Sequence, residues 1–346
     1  MSIESLADQA VAFSLPLAMH FRATDQRQGL VFSGPTGWGE FAPFHEYDDA
    51  IAGRWLAGAL EMAFGNLPKT VRSEVPVNAI IPATDEVTAF ELVQKAVKVH
   101  GIDTIKVKVA QAGQSLADDV ARVRAVRSAL VANGVSAGKI RLDVNGAWTV
   151  NQAAGNLKAL SEAANGIDYL EQPCATLSEL AALRKVIDVP IAVDESVRLA
   201  EDLDVLAIKD AADILIVKAI PLGGVAVSLR IIDRLELPVV VSGSMDSSVG
   251  LNSALHLAGS TPELYGACGL GTGALLALDL VHTTKLPENG VMSVTATEPD
   301  LDCLALSHAL TDESVRSYWR SRMISAWYAM AQNLVSPEVK LAVQAC

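Results

Sequence analysis

From about residue 75 the chain settles into a repeating rhythm: a short β-branched apolar run, then a longer, Ala-rich amphipathic one. The strand-like runs fall at 76–81, 104–109, 140–144, 168–171, 190–194, 213–218, 238–242 and 264–268. Runs such as Ile214-Leu215-Ile216-Val217 and Val239-Val240-Val241 are apolar at successive positions, the pattern of a parallel strand covered on both faces. Helical segments such as 115–131 and 151–164 lie between them. Eight strand-helix units over about 200 residues predict an α/β fold, a (β/α)8 barrel. The alternative is an open, doubly wound sheet, which requires a reversal of strand order.

Both flanks break the rhythm. Ahead of it, strands are expected at 11–19 and 30–33, a turn at Gly34-Pro35-Thr36-Gly37 and a third strand at 38–41. A helix capped by Asp48-Asp49 should run to about Phe64 and stop at Gly65-Asn66-Leu67-Pro68. Beyond residue 281 a strand is expected at 290–297, then an amphipathic helix over 312–334 carrying Trp319, Trp327 and Tyr328. The chain thus divides into an α+β capping domain (1–72), a barrel (73–280) and a C-terminal segment (281–346) that packs back on the capping domain or the barrel exterior.

With 51% hydrophobic and 19% charged residues in a chain of 346, a large core can be buried. The formal net charge of −13 argues against non-specific nucleic-acid binding. The four cysteines, Cys174, Cys268, Cys303 and Cys346, show neither zinc-knuckle spacing nor a disulfide framework. Met1-Ser2-Ile3-Glu4 lacks the basic flank and apolar core of a signal peptide, and the apolar run 274–281 is broken by Asp279 and too short for a membrane span. A cytoplasmic protein with no membrane or nucleic-acid partner is expected; its oligomeric state is left open.

The polar residues at the strand ends carry the chemistry, because barrel active sites lie at the carboxyl ends of the strands. Ile105-Lys106-Val107-Lys108-Val109 points two ammonium groups to one face, which an interior tolerates only opposite an anion. The following runs end in Asp143 and Asn145, in Glu171, in Asp194 and Glu195, in Lys218, and in Ser242-Gly243-Ser244. The carboxylates recur at separations of 28 (171 − 143) and 23 (194 − 171), one strand-helix unit each. Asp194 is preferred to Glu195 because it ends its apolar run. Three converging carboxylates repel unless a cation joins them, and an all-oxygen set suits Mg²⁺, with Mn²⁺ able to substitute, better than zinc.

Lysines flank the acids on both sides. That arrangement serves proton abstraction beside the carboxylate of a small-molecule substrate, where a metal stabilises the growing enediolate. A lysine beside a metal and a second lysine has its neutral form favoured, toward the range of about 7–8 that suits a general base. Lys108 is the expected proton carrier and Lys218 acts from the other side. Lys106, Asn145, Ser242, Gly243, Ser244 and the backbone-rich loop at Gly271 are expected to hold the substrate.

One acid at a strand end is more often a helix cap than a ligand; six residues in register with consecutive strand ends are not so easily dismissed. Lys218 alone also fits a Schiff-base aldolase, and the non-enzymatic reading is a barrel that binds a partner. Gly37-Trp38-Gly39-Glu40-Phe41-Ala42 and Gly269-Leu270-Gly271-Thr272-Gly273-Ala274 fit a loose G-x-G-x-x-A pattern without the context of a dinucleotide site. The first reads as a turn and strand, the second as a loop whose amides can meet a substrate oxygen. His45 reads as a surface residue of the small unit, with a place facing the barrel mouth as the alternative, and the tail aromatics read as packing.

In combination, K-x-K at 106–108, D-x-N at 143–145, E-Q-P at 171–173, D-E-S at 194–196 and Lys218 resemble the enolase superfamily, in its muconate-lactonising branch, over nearly the whole chain. The mandelate-racemase branch would show a His–Asp pair farther along. The resemblance implies an enolase-like fold, Mg²⁺ on Asp143, Glu171 and Asp194, and catalysis by Lys108 and Lys218. Phe21-Arg22-Ala23-Thr24, the run 34–44, Glu46-Tyr47-Asp48-Asp49 and the run 242–250 are further similar to the actinobacterial o-succinylbenzoate synthases. That likeness implies a lyase of menaquinone biosynthesis, performing syn dehydration of 2-succinyl-6-hydroxy-2,4-cyclohexadiene-1-carboxylate. N-acylamino-acid racemases and dipeptide epimerases of the same superfamily would use the same six residues.

Overall fold

The computed structural model describes residues 1–21, 24–200 and 203–344. Of the Phe21-Arg22-Ala23-Thr24 motif, Arg22 and Ala23 lie outside the described residues. The N-terminal unit opens with a helix, Ile3–Gln9, capped by Ser2. Strands β1 (Val11–Phe21), β2 (Thr24–Gly34) and β3 (Gly37–Phe41) then form an antiparallel sheet in that order. The Asp48 carboxylate accepts the Ile51 amide at 2.8 Å, starting the helix Asp49–Phe64.

The barrel begins with a departure from expectation. The run 76–81 is split into two strands, β4 (Glu74–Pro76) and β5 (Ala79–Ile81). β5 opens a parallel sheet continued by β6 (Thr104–Lys108), β7 (Lys139–Asp143), β8 (Leu170–Glu171), β9 (Ile191–Val193), β10 (Ile214–Val217) and β11 (Val239–Val241). β4 instead pairs antiparallel with β12 (Val291–Ser293). The expected eighth strand at 264–268 forms no continuous ladder, because Gly266 takes a left-handed backbone (φ +135°) in its middle. The segment still bridges the sheet ends. Tyr265 and Gly269 donate amides to Val239 and Val241 at 2.7 and 2.8 Å, and on the other side Cys268 donates to Pro76 at 2.7 Å and Asn78 to Cys268 at 2.9 Å. The ring therefore closes through scattered bonds.

Period-2 alternation divides the strands between two cores. Ile105, Val107, Ile140, Leu142, Ile191, Val193, Leu215 and Val217 pack into the large apolar core shared with the outer helices. The alternate positions Tyr169, Ala192, Ile214, Ile216 and Val240 form a separate small cluster inside the ring. Arg141 stacks 4.7 Å over Tyr169 and donates to Asp168 (2.8 Å), Asn78 (3.0 Å) and Ala267 (2.6 Å), joining three segments within the ring. The interior polar side chains lie beyond this plug, toward the strand ends.

The C-terminal residues cover the capping helix. Where one helix was expected over 312–334, Asp312 caps Glu313–Ala326, which passes into a π-helical turn at Trp327–Ala331. Trp319, Met323, Ala326 and Trp327 share a core with Trp55, Leu56 and Ala59. The close approach depends on Gly53, where a Cβ would lie 2.6 Å from Cβ of Met330. The short helices Ile3–Gln9 and Leu301–Ala309 were not anticipated from periodicity. Among the described residues no helix is long and apolar enough to cross a membrane.

Candidate active site

Strand register assembles the site. Lys108 sits beside Asp143, and Asp143 beside Glu171; Glu171 pairs with Ala192, so Asp194 enters from the next inward position of β9. After delivering their carboxylates two of the three strands turn sharply: Asn145 and Gln172 take left-handed backbones, φ 52° and 40°. Lys108 and Lys218 come from β6 and the end of β10, four strands apart in an eight-segment ring, so they face each other across the mouth.

The Lys106 ammonium lies 2.9 Å from both Asp143 Oδ2 and Glu171 Oε1, Lys108 lies 2.7 Å from Asp143 Oδ2, and Lys218 lies 2.6 Å from Asp194 Oδ2. All three carboxylates are buried. Burial pushes the Glu171 carboxyl up to about 7, with the charge of Asp143 adding to it. Burial acts the same way on Asp143, but Lys106 and Lys108 outweigh it and hold that group far below the usual carboxylate range. At Asp194 burial is likewise outweighed, by Lys218 and Arg198, and the group is lowered. Lys106 is the mirror case: burial alone would lower it, but Asp143 and Glu171 hold it well above the usual lysine range.

A further shell holds these groups. The Gln172 amide oxygen accepts the backbone N–H of Asp194 (3.1 Å) and of Ser196 (3.2 Å), and its Nε2 donates to Ser196 Oγ at 2.7 Å. The E-Q-P and D-E-S motifs are thus one clamp. Arg198 donates to Asp194 Oδ1 (3.0 Å), Glu195 Oε1 (2.7 Å) and the Tyr47 hydroxyl (2.6 Å), tying the capping unit to Asp194. Asn145 accepts from Lys108 at 2.5 Å and donates to Glu195 at 3.2 Å. Sequence reading missed Gln172 as a clamp and missed Arg198. The motif letters carry a signal for the first; nothing in the sequence marks the second.

A cavity of about 990 Å³ opens above the strand ends. Lys106, Lys108, Asp143, Asn145, Asp194, Lys218, Ser242, Gly243, Ser244 and Gly271 all line it, while Glu171 lies behind the lining. The far wall comes from the capping unit and the tail, including Arg27, Phe44, Tyr47 and Trp319. His45 is exposed, as expected, and it also lines the cavity, the alternative place weighed for it, with Nδ1 3.1 Å from the Tyr318 hydroxyl. Thr272, also in the lining, has a buried hydroxyl with no hydrogen-bond partner, a residue the sequence reading did not single out. At Gly243 a Cβ would lie 3.0 Å from Asp246 Oδ2, which keeps that wall small.

The donor set fits a hard divalent cation. Three carboxylates stand on three adjacent strands, the Lys106 ammonium bridges those of Asp143 and Glu171, the donor atoms are all oxygen, and Oε2 of Glu171 is buried with no hydrogen-bond partner.

Comparison with known proteins agrees with this geometry. The enolase C-terminal domain-like family matches residues 89–299 and the enolase N-terminal domain-like family residues 12–63. An o-succinylbenzoate synthase of Mycolicibacterium smegmatis is 43% identical over 322 residues, covering 93% of this chain and 96% of the relative. One of Mycobacterium tuberculosis is 42% identical over 328 residues, covering 95% and 96%. Among solved structures, muconate lactonizing enzyme from Pseudomonas putida superposes with a TM-score of 0.70 at 18% identity, covering 86% of this chain and 98% of that one. The L-Ala-D/L-Glu epimerase from Bacillus subtilis gives 0.69 at 19% identity, covering 84% and 96%. These two likenesses speak to the fold. The chain belongs to the enolase superfamily and, within it, to the family of the o-succinylbenzoate synthases.

Proposed function

We propose that the chain is a lyase that dehydrates 2-succinyl-6-hydroxy-2,4-cyclohexadiene-1-carboxylate to o-succinylbenzoate, with Mg²⁺ as its cofactor. The observation that carries the chemistry is the pair of lysines, Lys108 and Lys218, facing one cavity from strands four apart with three buried carboxylates on the strands between. The relatives' shared name supports the choice of substrate.

Asp143, Glu171 and Asp194 would hold the metal. Bound there, a divalent ion supplies positive charge opposite the substrate carboxylate, where negative charge grows as the α-proton leaves. Lys108, in its neutral form, removes that proton from the ring carbon bearing the carboxylate. The proton then passes from Lys108 to the departing hydroxyl on the same face, and water leaves as the ring becomes aromatic. Lys218 remains an ammonium on the opposite face and offsets the enediolate charge. Lys106 offsets the charge of the buried acids and, with Asn145, keeps the lysine-carboxylate cluster in place. Ser242, Gly243, Ser244 and Gly271 present small, polar walls to the substrate. A racemase would need both lysines as proton carriers; the dehydration needs one.

The test is turnover of the cyclohexadiene carboxylate, followed by appearance of the aromatic product, before and after metal removal. We expect turnover that chelation abolishes and Mg²⁺ restores. Absence of turnover in the metal-loaded protein removes the substrate assignment, and turnover unaffected by chelation removes the metal.

A further inference from the structure

Past the last barrel segment the chain carries a second cluster of ligating side chains, two of them lining a cavity of about 290 Å³ that shares no lining residue with the first. His282, Asp300 and Cys303 offer a ring nitrogen, a carboxylate oxygen and a thiol sulfur, all within 4.8 Å of one another. His282 and Cys303 face each other in that cavity, with Sγ of Cys303 3.4 Å from Nδ1 of His282. A nitrogen and a sulfur bound to one tetrahedral zinc, at about 2.0 and about 2.3 Å, stand about 3.5 Å apart. The two atoms therefore already span one edge of such a tetrahedron.

The surroundings have the form of a ligand shell. The other ring nitrogen of His282 lies 3.1 Å from Oδ2 of Asp302, the carboxylate–histidine pairing that orients a metal-bound imidazole. Asp300 accepts the His282 backbone N–H at 2.7 Å and donates its own amide to Leu280 at 2.9 Å, fixing the loop against the start of the Leu301–Ala309 helix. Burial and the charges of Asp302, Asp300 and Asp279 push the Cys303 thiol up. That disfavours reading Cys303, His282 and Asp302 as a nucleophilic triad, which needs a thiolate. A bound cation reverses the balance: the carboxylates then favour it, and the thiol loses its proton to solvent.

We propose that His282, Asp300 and Cys303 form a second metal site, for a borderline-soft divalent ion of the zinc class, with Asp302 as the outer partner of His282. The mixed nitrogen, sulfur and oxygen set separates it from the all-oxygen site at the barrel mouth.

The test is titration of the full-length, tag-free protein with Co²⁺ in excess Mg²⁺, so that the oxygen site is filled. We expect a near-ultraviolet thiolate-to-cobalt band and tetrahedral visible bands that saturate at one equivalent and vanish when Zn²⁺ is added. Cys303→Ser should lose the thiolate band while keeping its turnover, and Asp302→Asn should weaken cobalt binding about tenfold or more. Absence of a thiolate band in the intact protein overturns the proposal, as does a band that Cys303→Ser leaves intact. Asp302 is exposed and Cys303 only half-buried, so both variants should fold and leave the readout to the metal.

Discussion

Arg198 is where the capping unit reaches the barrel chemistry at the level of single residues. Its guanidinium touches Asp194, Glu195 and Tyr47 at once, a fork that a lysine cannot reproduce. Arg198→Lys should therefore keep the charge and loosen Asp194, raising the Mg²⁺ concentration needed for half-maximal turnover about 10–100-fold. An unchanged Mg²⁺ dependence would show that Asp194 needs no such support. Gln172 acts on the same loop from below, and Gln172→Ala should weaken Mg²⁺ in the same direction. At this scale strand alternation shows in the sequence which side chains gather at the strand ends, and the structure puts Lys108, Asp143, Glu171, Asp194 and Lys218 there. Arg198, Tyr47 and Thr272 could not be placed at the site in this way, because each reaches it through a helix or loop whose path depends on tertiary packing.

At the scale of elements, the seam between β3 and the loop after β11 has a titratable centre. Glu40 on β3 is buried and accepts from the Ser247 hydroxyl and, at 3.4 Å, from the Ser247 amide. Burial, then the neighbouring Asp246, raise it to about 7, with Arg27 and the Ser247 bonds opposing. The folded protein thus keeps a proton there that the unfolded chain releases near its ordinary 4.5. This contribution to stability is full below that value and is lost as the pH rises through about 7. Asp246 is raised as well and adds in the same sense. The intact protein should lose Tm between pH 5 and pH 8, and Glu40→Gln should flatten that fall, to be read by thermal scans across the range. A fall of the same steepness in the variant would assign it to other groups.

The elements themselves were legible where propensity and capping agreed. Asp48, Ser115 and Thr149 each cap the helix that the pattern placed behind them. The misreadings have separate causes: β4 leaves the barrel because its partner, β12, lies more than 200 residues downstream, and a run of apolar letters does not show which partner it will take. Gly266, in turn, permits the eighth segment to bridge two strands without forming one.

For the whole molecule, the C-terminal residues join the capping core and also reach the active-site wall. Trp319 is buried, meets Phe41 edge-on at 6.2 Å, and lines the cavity. Trp319→Ala should cost about 3–5 kcal/mol of stability by leaving a cavity in that core, measured as a lowered denaturation midpoint. At temperatures where the variant stays folded, the lost wall should raise KM. A stability change near zero would show that the tail packs only loosely on the capping core. The two-unit frame of cap and barrel was visible in the change of rhythm near residue 75, whereas the contribution of residue 319 to the site was not, since nothing local distinguishes a tryptophan that packs from one that also faces a substrate.

The central claim is that Lys108 carries the proton in a dehydration run over three carboxylates. The measurement that bears on it most directly is the rate of o-succinylbenzoate formation by Lys108→Ala against the intact protein, both at saturating Mg²⁺ and with folding verified. Loss of a proton-transfer group at this position should cut kcat by about 10³-fold or more. A variant that turns over within a few-fold of the intact protein would contradict the account.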